Sequence, residues 1–205
     1  MIYLIRHAEP LGELLGPEDY LIPDEENRLS EYGWQQAQQL AAMFSQIKID
    51  EIYSSPILRA FQTAGVMAEN TGVSIQIIDH LAERNFMPSS PITLKQCQDI
   101  QLQGYWHTNA VIQGVESVAA HRLRVANWFS GLEAEIQNKP EYNRLIVCHG
   151  GTIEHILGVM MNIPVSAMSR YFFSCECAHF MQIQPLRGLG ESVVYRIDRI
   201  NAGVI

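Results

Sequence analysis

The stretch Ile2-Tyr3-Leu4-Ile5-Arg6-His7-Ala8-Glu9 decides how the rest of the chain is read, because a short apolar run ends abruptly in a guanidinium and an imidazole. Four consecutive apolar residues suit a strand buried on both faces better than one that alternates between core and water. Such a strand presents Arg6 and His7 at its carboxyl end, where open α/β sheets bind ligands. A second run, Leu145-Ile146-Val147-Cys148, ends the same way in His149-Gly150-Gly151, so two buried strands each deliver a histidine.

Helical and strand-like segments alternate between and after these runs. Ser30 reads as a helix N-cap, followed by Trp34, Ala37, Leu40, Ala41, Phe44 and Ile47 at helical spacing, with Gln35, Gln36, Gln38 and Gln39 on the wet face. Residues 51–53 read as a short strand. Ser55 as N-cap and Pro56 at the first helical position then open a helix whose apolar face carries Ile57, Ala60, Phe61, Ala64 and Met67. Arg59 falls in its first turn, where a cation opposes the helix dipole. That position makes sense beside a bound anion, the alternative being an arginine that faces solvent. A third strand is expected over residues 74–78 and a helix from near Thr93. Glu116 and Ser117 open a long helix with Val118, Val125, Phe129, Leu132 and Ile136 inward, ended by Asn138-Lys139-Pro140. After His149 comes a helix with Ile153, Ile156, Leu157 and Met160 on one side. Residues 173–183 and 192–197 alternate as strands near the sheet edge, with a turn at 188–190. The expectation is one domain over residues 1–205, an α/β three-layer sandwich with a mostly parallel central sheet flanked by helices. A small cap, residues 87–114 with the patch Tyr105-Trp106-His107, is inserted over the carboxyl ends of the strands.

Composition narrows the function. The chain has 205 residues, 47% of them apolar, enough for one substantial core, and its net charge of -8 argues against nucleic acid as a partner. Any anion site must be a local cluster of cations. No segment reaches the roughly 20 apolar residues of a membrane span, and the run from Met1 is broken by Arg6, so no membrane partner or targeting segment is expected. Cys97, Cys148, Cys175 and Cys177 lack the spacing of a disulfide framework, which points to reduced thiols and a cytoplasmic location.

Two histidines at strand ends, with arginines and a carboxylate on nearby loops, suit phosphoryl transfer to a histidine. A largely neutral imidazole attacks phosphorus without a separate base, while arginines stabilise the charge on the phosphoryl oxygens. Two other classes compete. A metal hydrolase would use His149, His155, Glu154 and Glu83, but no His-Glu-x-x-His spacing occurs, and Cys175-Glu176-Cys177 with His179 lacks a second Cys/His pair. A non-catalytic module would keep the pocket only to recognise phosphorylated partners. Of the remaining histidines, His80, His107, His121 and His155, the one in the cap, His107, draws most interest.

The residues also match a family. Arg6-His7-Ala8-Glu9 resembles the Arg-His-Gly-Glu signature of the histidine phosphatase superfamily, which includes the cofactor-dependent phosphoglycerate mutases. Leu29-Ser30-Glu31-Tyr32-Gly33 with Gln36-Ala37 resembles the family's first helix, and Ser54-Ser55-Pro56-Ile57-Leu58-Arg59-Ala60-Phe61-Gln62-Thr63-Ala64 its second motif. Leu81-Ala82-Glu83-Arg84 is similar to the segment with the proton donor, Glu116-Ser117 to a Gly-Glu-Ser element and His149-Gly150 to the second histidine motif. The order is the family's, over about residues 2–160, which makes the set far more specific than any one piece.

The resemblance implies that His7 is the nucleophile, that Arg6, Arg59, His149 and Gly150 help hold the phosphoryl group, and that Glu83 is the general acid and base. It implies a metal-independent phosphomonoester hydrolase with a small phosphorylated substrate and no cofactor. Phosphoglycerate mutase-type transfer is the alternative. Ala8 replaces the signature glycine, and Pro10, Gly12 and Glu13 stand where many members have threonine and a Trp-Asn pair. Glu13 near a phosphate is unfavourable unless it points away. Between Glu83 and Glu116 the only cations are Arg84 and Lys95, beside Phe86, Tyr105 and Trp106, which favours the phosphatase branch and a substrate with an apolar or aromatic part.

Overall fold

Side chains of the first strand, β1 (Ile2–Arg6), divide between two cores: Ile2 and Leu4 enter one, Tyr3 and Ile5 the other, and all four are buried. The structure is a computed structural model that describes residues 1–86, 90–187 and 193–203. Three further strands, β2 (Glu51–Ser54), β3 (Ile75–Ile77) and β4 (Arg144–Cys148), run parallel to β1, while β5 (His179–Arg187) pairs antiparallel with β1 and with β6 (Val193–Gly203). The order across the sheet is β3-β2-β4-β1-β5-β6.

Helices cover both faces. On one, α1 (Glu31–Phe44) and α2 (Leu58–Thr71) pack Leu40, Phe44, Ala64 and Met67 against Tyr3, Ile52 and Val147. On the other, α4 (Val118–Asn138) and α5 (Gly150–Met160) pack Val125, Phe129, Ile153 and Leu157 against Leu4, Ile146 and Met181. The α/β sandwich with a mostly parallel sheet is therefore the observed architecture. Between β3 and α4 lies α3 (Leu94–Trp106), begun by a capping box in which the Thr93 hydroxyl and the Gln96 side chain each bond the other's backbone N–H.

Ser30 caps α1 as expected, and of Glu116 and Ser117 it is Ser117 that caps α4, each serine accepting from a backbone N–H three residues on. Elsewhere tertiary partners override the pattern. Gln36 is buried rather than wet, because its side-chain oxygen takes the Glu9 N–H at 2.9 Å, and Trp34 is instead half exposed. Gly33 permits this docking, since a Cβ there would lie 2.0 Å from the Glu9 carbonyl oxygen. Helix α2 begins at Leu58 with Ile57 as its cap, so Ser55 and Pro56 stand outside it, and Phe61 is half exposed. Residues 173–178 form no strand, because their backbone serves the loop at His7: the Ala178 N–H donates to the His7 carbonyl at 3.1 Å. Ala178 itself takes a φ of 57°, and β5 starts only at His179. The turn at 188–190 and the first residues of the expected cap, 87–89, lie outside the described residues.

Candidate active site

Neighbouring strands β2, β4 and β1 end in Ser55, His149 and His7, so topology alone gathers these side chains at one edge of the sheet. The His7 N–H donates to the Cys148 carbonyl at 2.9 Å, continuing the β1–β4 ladder one residue past the strand. Its Nδ1 lies 2.8 Å from the Ala8 carbonyl oxygen, which can only accept, so Nδ1 carries the proton and Nε2 carries the lone pair. Arg59 Nε donates to that Nε2 at 3.3 Å. The Thr63 hydroxyl, one turn further along α2, takes the Ala8 N–H at 3.0 Å and fixes the backbone beneath the ring. Burial, then the charges of Arg59 and Arg6, hold the imidazole well below its ordinary pKa, so it stays neutral.

The second histidine is equally enclosed. His149 Nε2 lies 2.8 Å from the Ser55 hydroxyl, its ring centroid 5.1 Å from that of His7, and its Nδ1 is buried with no hydrogen-bond partner among the described residues. Burial and Arg59 depress its pKa as well. Ser55 thus spends its hydroxyl on His149 and on the Ile57 N–H, at 3.2 Å, rather than on a helix end.

Arg59 is buried and Arg6 half-buried, and both meet carboxylates from the loop after β1. Arg59 Nη1 bonds Asp24 at 2.7 Å; Arg6 Nη2 bonds Glu13 at 3.0 Å, while its Nη1 donates to the Cys175 carbonyl at 3.1 Å. Glu13 therefore turns toward the site, paired with the cation that an anion would use. Gly150, at the first turn of α5, leaves room beside Arg6, whose Cδ and Nε would lie 3.9 Å from a Cβ there.

Glu83 is seated by backbone. Its Oε1 accepts from the Arg84 N–H at 2.8 Å and its Oε2 from the Gly151 N–H at 3.0 Å, with His121 Nδ1 at 3.8 Å. A Cβ on residue 151 would come within 2.6 Å of Oε1, so the glycine permits this approach. Burial raises the carboxyl pKa, and the two N–H donors offset part of the rise.

Arg6, His7, Arg59, Glu83 and Gly150 line one cavity of about 360 Å³, and His149 stands behind His7 rather than on the wall. Helix α3 contributes Cys97, Gln101 and Tyr105 to the same cavity, and α5 contributes Gly151, Glu154 and His155. His107 is exposed and absent from the lining; Tyr105 is the residue of its patch that turns inward. Asp24 carried no signal in the sequence, and Tyr105 and Glu154, singled out there only as part of the cap's aromatic patch and as a conceivable metal ligand, are brought to the cavity by tertiary packing rather than by a motif. The imagined metal set does not form: His155 Nδ1 accepts from Arg122 Nε at 2.9 Å, Glu83 is bound to backbone, and no three potential ligands converge among the described residues.

A family model described as "Histidine phosphatase superfamily (branch 1)" matches residues 2–192. The chain belongs to that superfamily. Among relatives of this histidine phosphatase superfamily chain is a putative phosphoserine phosphatase 2 of Hydrogenobacter thermophilus, 28% identical over 169 residues, 79% of each chain. Another is a probable phosphoglycerate mutase GpmB of Erwinia tasmaniensis, 26% identical over 184 residues, covering 82% of this chain and 78% of the relative. In fold it is similar to a mycobacterial glucosyl-3-phosphoglycerate phosphatase, with a TM-score of 0.80, 22% identity and coverage of 98% of both chains.

Proposed function

We propose that the chain hydrolyses small phosphomonoesters through a phosphohistidine formed on His7, with Glu83 as proton donor and then base. The observation that carries this reading is the state of His7. Its Nδ1 proton is tied to the Ala8 carbonyl, and its Nε2 lone pair faces Arg59 in a cavity shared with Arg6 and Glu83.

A phosphoryl group entering the cavity takes over Arg6 and Arg59 from Glu13 and Asp24. Nε2 attacks phosphorus in line as the P–O ester bond breaks, and the arginines balance charge on the phosphoryl oxygens. Glu83 gives its proton to the departing alkoxide, which leaves as the alcohol. The resulting carboxylate then takes a proton from water, whose oxygen attacks phosphorus and breaks the P–N bond. Inorganic phosphate leaves, and His7 returns to its neutral form. His149, held neutral with its Nε2 at the Ser55 hydroxyl, backs the nucleophile's ring at a centroid distance of 5.1 Å.

Hydrolysis is favoured over mutase-type transfer because, of the two cations between Glu83 and Glu116, Arg84 alone lines the cavity. Lys95 is exposed and paired with Asp99 at 2.9 Å, and the Arg84 head is buried over the Phe86 ring at 4.9 Å. Incubation with p-nitrophenyl phosphate followed by a rapid quench should trap acid-labile phosphate on His7. His7→Ala should lose at least about a thousandfold in turnover, as expected when a covalent nucleophile is removed. Full turnover by His7→Ala, or no trapped phosphate and no turnover in the unaltered protein, rejects the reading.

A further inference from the structure

One buried ionisable group on the cavity wall has no part in the reaction described above. Glu154 stands on α5 one turn beyond Gly150 and Gly151, and Gly151 is the residue whose N–H seats Glu83. Residues three or four apart share a helix face at about 5–6 Å, so Glu154 lies alongside the proton donor. Both carboxyls line the same cavity.

The side chain is buried and under-used. Glu154 is 1% exposed, and its Oε1 makes no hydrogen bond among the described residues. Its Oε2 receives the Tyr105 hydroxyl at a long 3.4 Å, while that hydroxyl accepts from Gln101 Nε2 at 2.9 Å, and the Phe173 backbone N–H also lies close enough to favour the carboxylate. Of the cations nearby, Arg122 is engaged elsewhere, while Nη1 and Nη2 of Arg84 are buried without a hydrogen-bond partner among the described residues. Arg122 donates to His155, to the Ile163 carbonyl and to the Tyr171 hydroxyl, and Arg84 Nε donates to the Glu116 carbonyl at 2.6 Å. A buried carboxyl oxygen without a donor costs free energy unless a ligand or solvent supplies one. Burial lifts this carboxyl to about 7, with the Glu83 charge adding to the rise, so around neutral pH it is poised between acid and carboxylate.

We infer that Glu154 is a specificity-determining residue, whose free oxygen accepts a hydrogen bond from a hydroxyl or ammonium group on the alcohol part of the substrate. This rests on the phosphatase reading, because it places that alcohol at Glu83. One helical turn of roughly 5–6 Å between the two seats matches an ester oxygen at Glu83 and a donor on the next carbon atom or the one after it. The substrate class is then a phosphate ester of a polyol or amino alcohol rather than of a simple alkyl chain. Tyr105 closes the other side of this subsite, its hydroxyl held in place by Gln101.

The test compares kcat/KM for propyl phosphate, glycerol 1-phosphate and phosphoethanolamine, which offer no donor, a hydroxyl and an ammonium group. The unaltered protein should favour at least one donor-bearing ester over propyl phosphate by about tenfold, the order set by one hydrogen bond to a buried acceptor. Glu154→Leu should collapse that ratio. Glu154→Gln keeps a neutral acceptor oxygen, so it should retain a preference for the hydroxyl ester and lose one for the ammonium ester. A purely structural role for Glu154 lowers all three esters together and leaves the ratios unchanged, which overturns the inference, as does equal use of the three esters by the unaltered protein. Turnover of none of them, nor of p-nitrophenyl phosphate, overturns the phosphatase reading itself.

Discussion

Glu83 must hold a proton when the ester bond breaks and release it to take one from water, and burial raises its pKa while two backbone N–H groups still favour the carboxylate. A raised value keeps the acid form present to higher pH. For alkyl phosphates, kcat/KM should therefore fall as pH rises through that value, and Glu83→Gln should remove the basic limb while slowing turnover about 10²–10⁴-fold, the range for general acid catalysis. With p-nitrophenyl phosphate, whose leaving group needs no proton, the loss should be much smaller; an equal loss on both ester types counts against the role. The arginines yield a second test. Asp24 and Glu13 occupy the cations an incoming phosphate needs, and such partly exposed ion pairs are worth about 0–1 kcal/mol each. Asp24→Asn and Glu13→Gln should each tighten competitive inhibition by inorganic phosphate, by up to about fivefold on that scale, with Asp24→Asn the stronger because Arg59 is the more buried partner. Inhibition constants that stay put in both variants exclude competition at these arginines.

At the scale of elements, the legible parts were those whose signal is local. Strands β1 and β4 announce themselves by four apolar residues ending in histidine, and α1 by a serine cap before a periodic face, because burial and capping act over a single turn or pleat. Ser55-Pro56 misled for the opposite reason: a serine before proline is a fair helix start until a distant histidine claims its hydroxyl. Residues 173–178 alternate like a strand, yet their carbonyl and N–H groups at Cys175 and Ala178 are taken by Arg6 and His7. In the site, motif residues His7, Arg59, Glu83 and His149 were readable, whereas Asp24, Tyr105 and Glu154 depend on which loop or helix folds across the cavity. Gly151 shows how an element can set a side chain. Its missing Cβ lets Glu83 approach the first turn of α5, and Gly151→Ala would bring a methyl group within 2.6 Å of Oε1. The variant should lose activity on alkyl esters nearly as far as Glu83→Gln, with less effect on p-nitrophenyl phosphate. Its thermal midpoint should shift little, because alanine suits a helix. A fully active Gly151→Ala would show that Glu83 works from another position.

For the molecule as a whole, two electrostatic effects oppose each other as pH falls toward the isoelectric point near 5.3. The net charge of -8 shrinks over that range, which relieves self-repulsion and stabilises a compact chain. The buried histidines work the other way. His7, His149 and His121 are held well below their ordinary value of 6.5 and His155 near 3, in each case mainly by burial. Below pH 6.5 the unfolded chain therefore binds protons at these positions that the folded chain refuses, and stability falls as pH falls. Glu83 and Glu154 oppose this trend, because their raised values let the folded state bind protons between about 4.5 and the raised value, near 7 for Glu154. Four histidines set against two carboxyls leave the unfolded state with the greater proton uptake. Each pKa unit corresponds to about 1.4 kcal/mol, whereas exposed charges interact weakly at physiological salt. The histidine effect should win: in moderate salt without phosphate, unfolding free energy should decline from about pH 7 to about pH 5.5, so the most stable pH lies above the isoelectric point. Urea unfolding at a series of pH values measures this directly. A free energy that climbs steadily toward the isoelectric point would mean that the site histidines accept protons in the folded state, which would remove the neutral nucleophile as well.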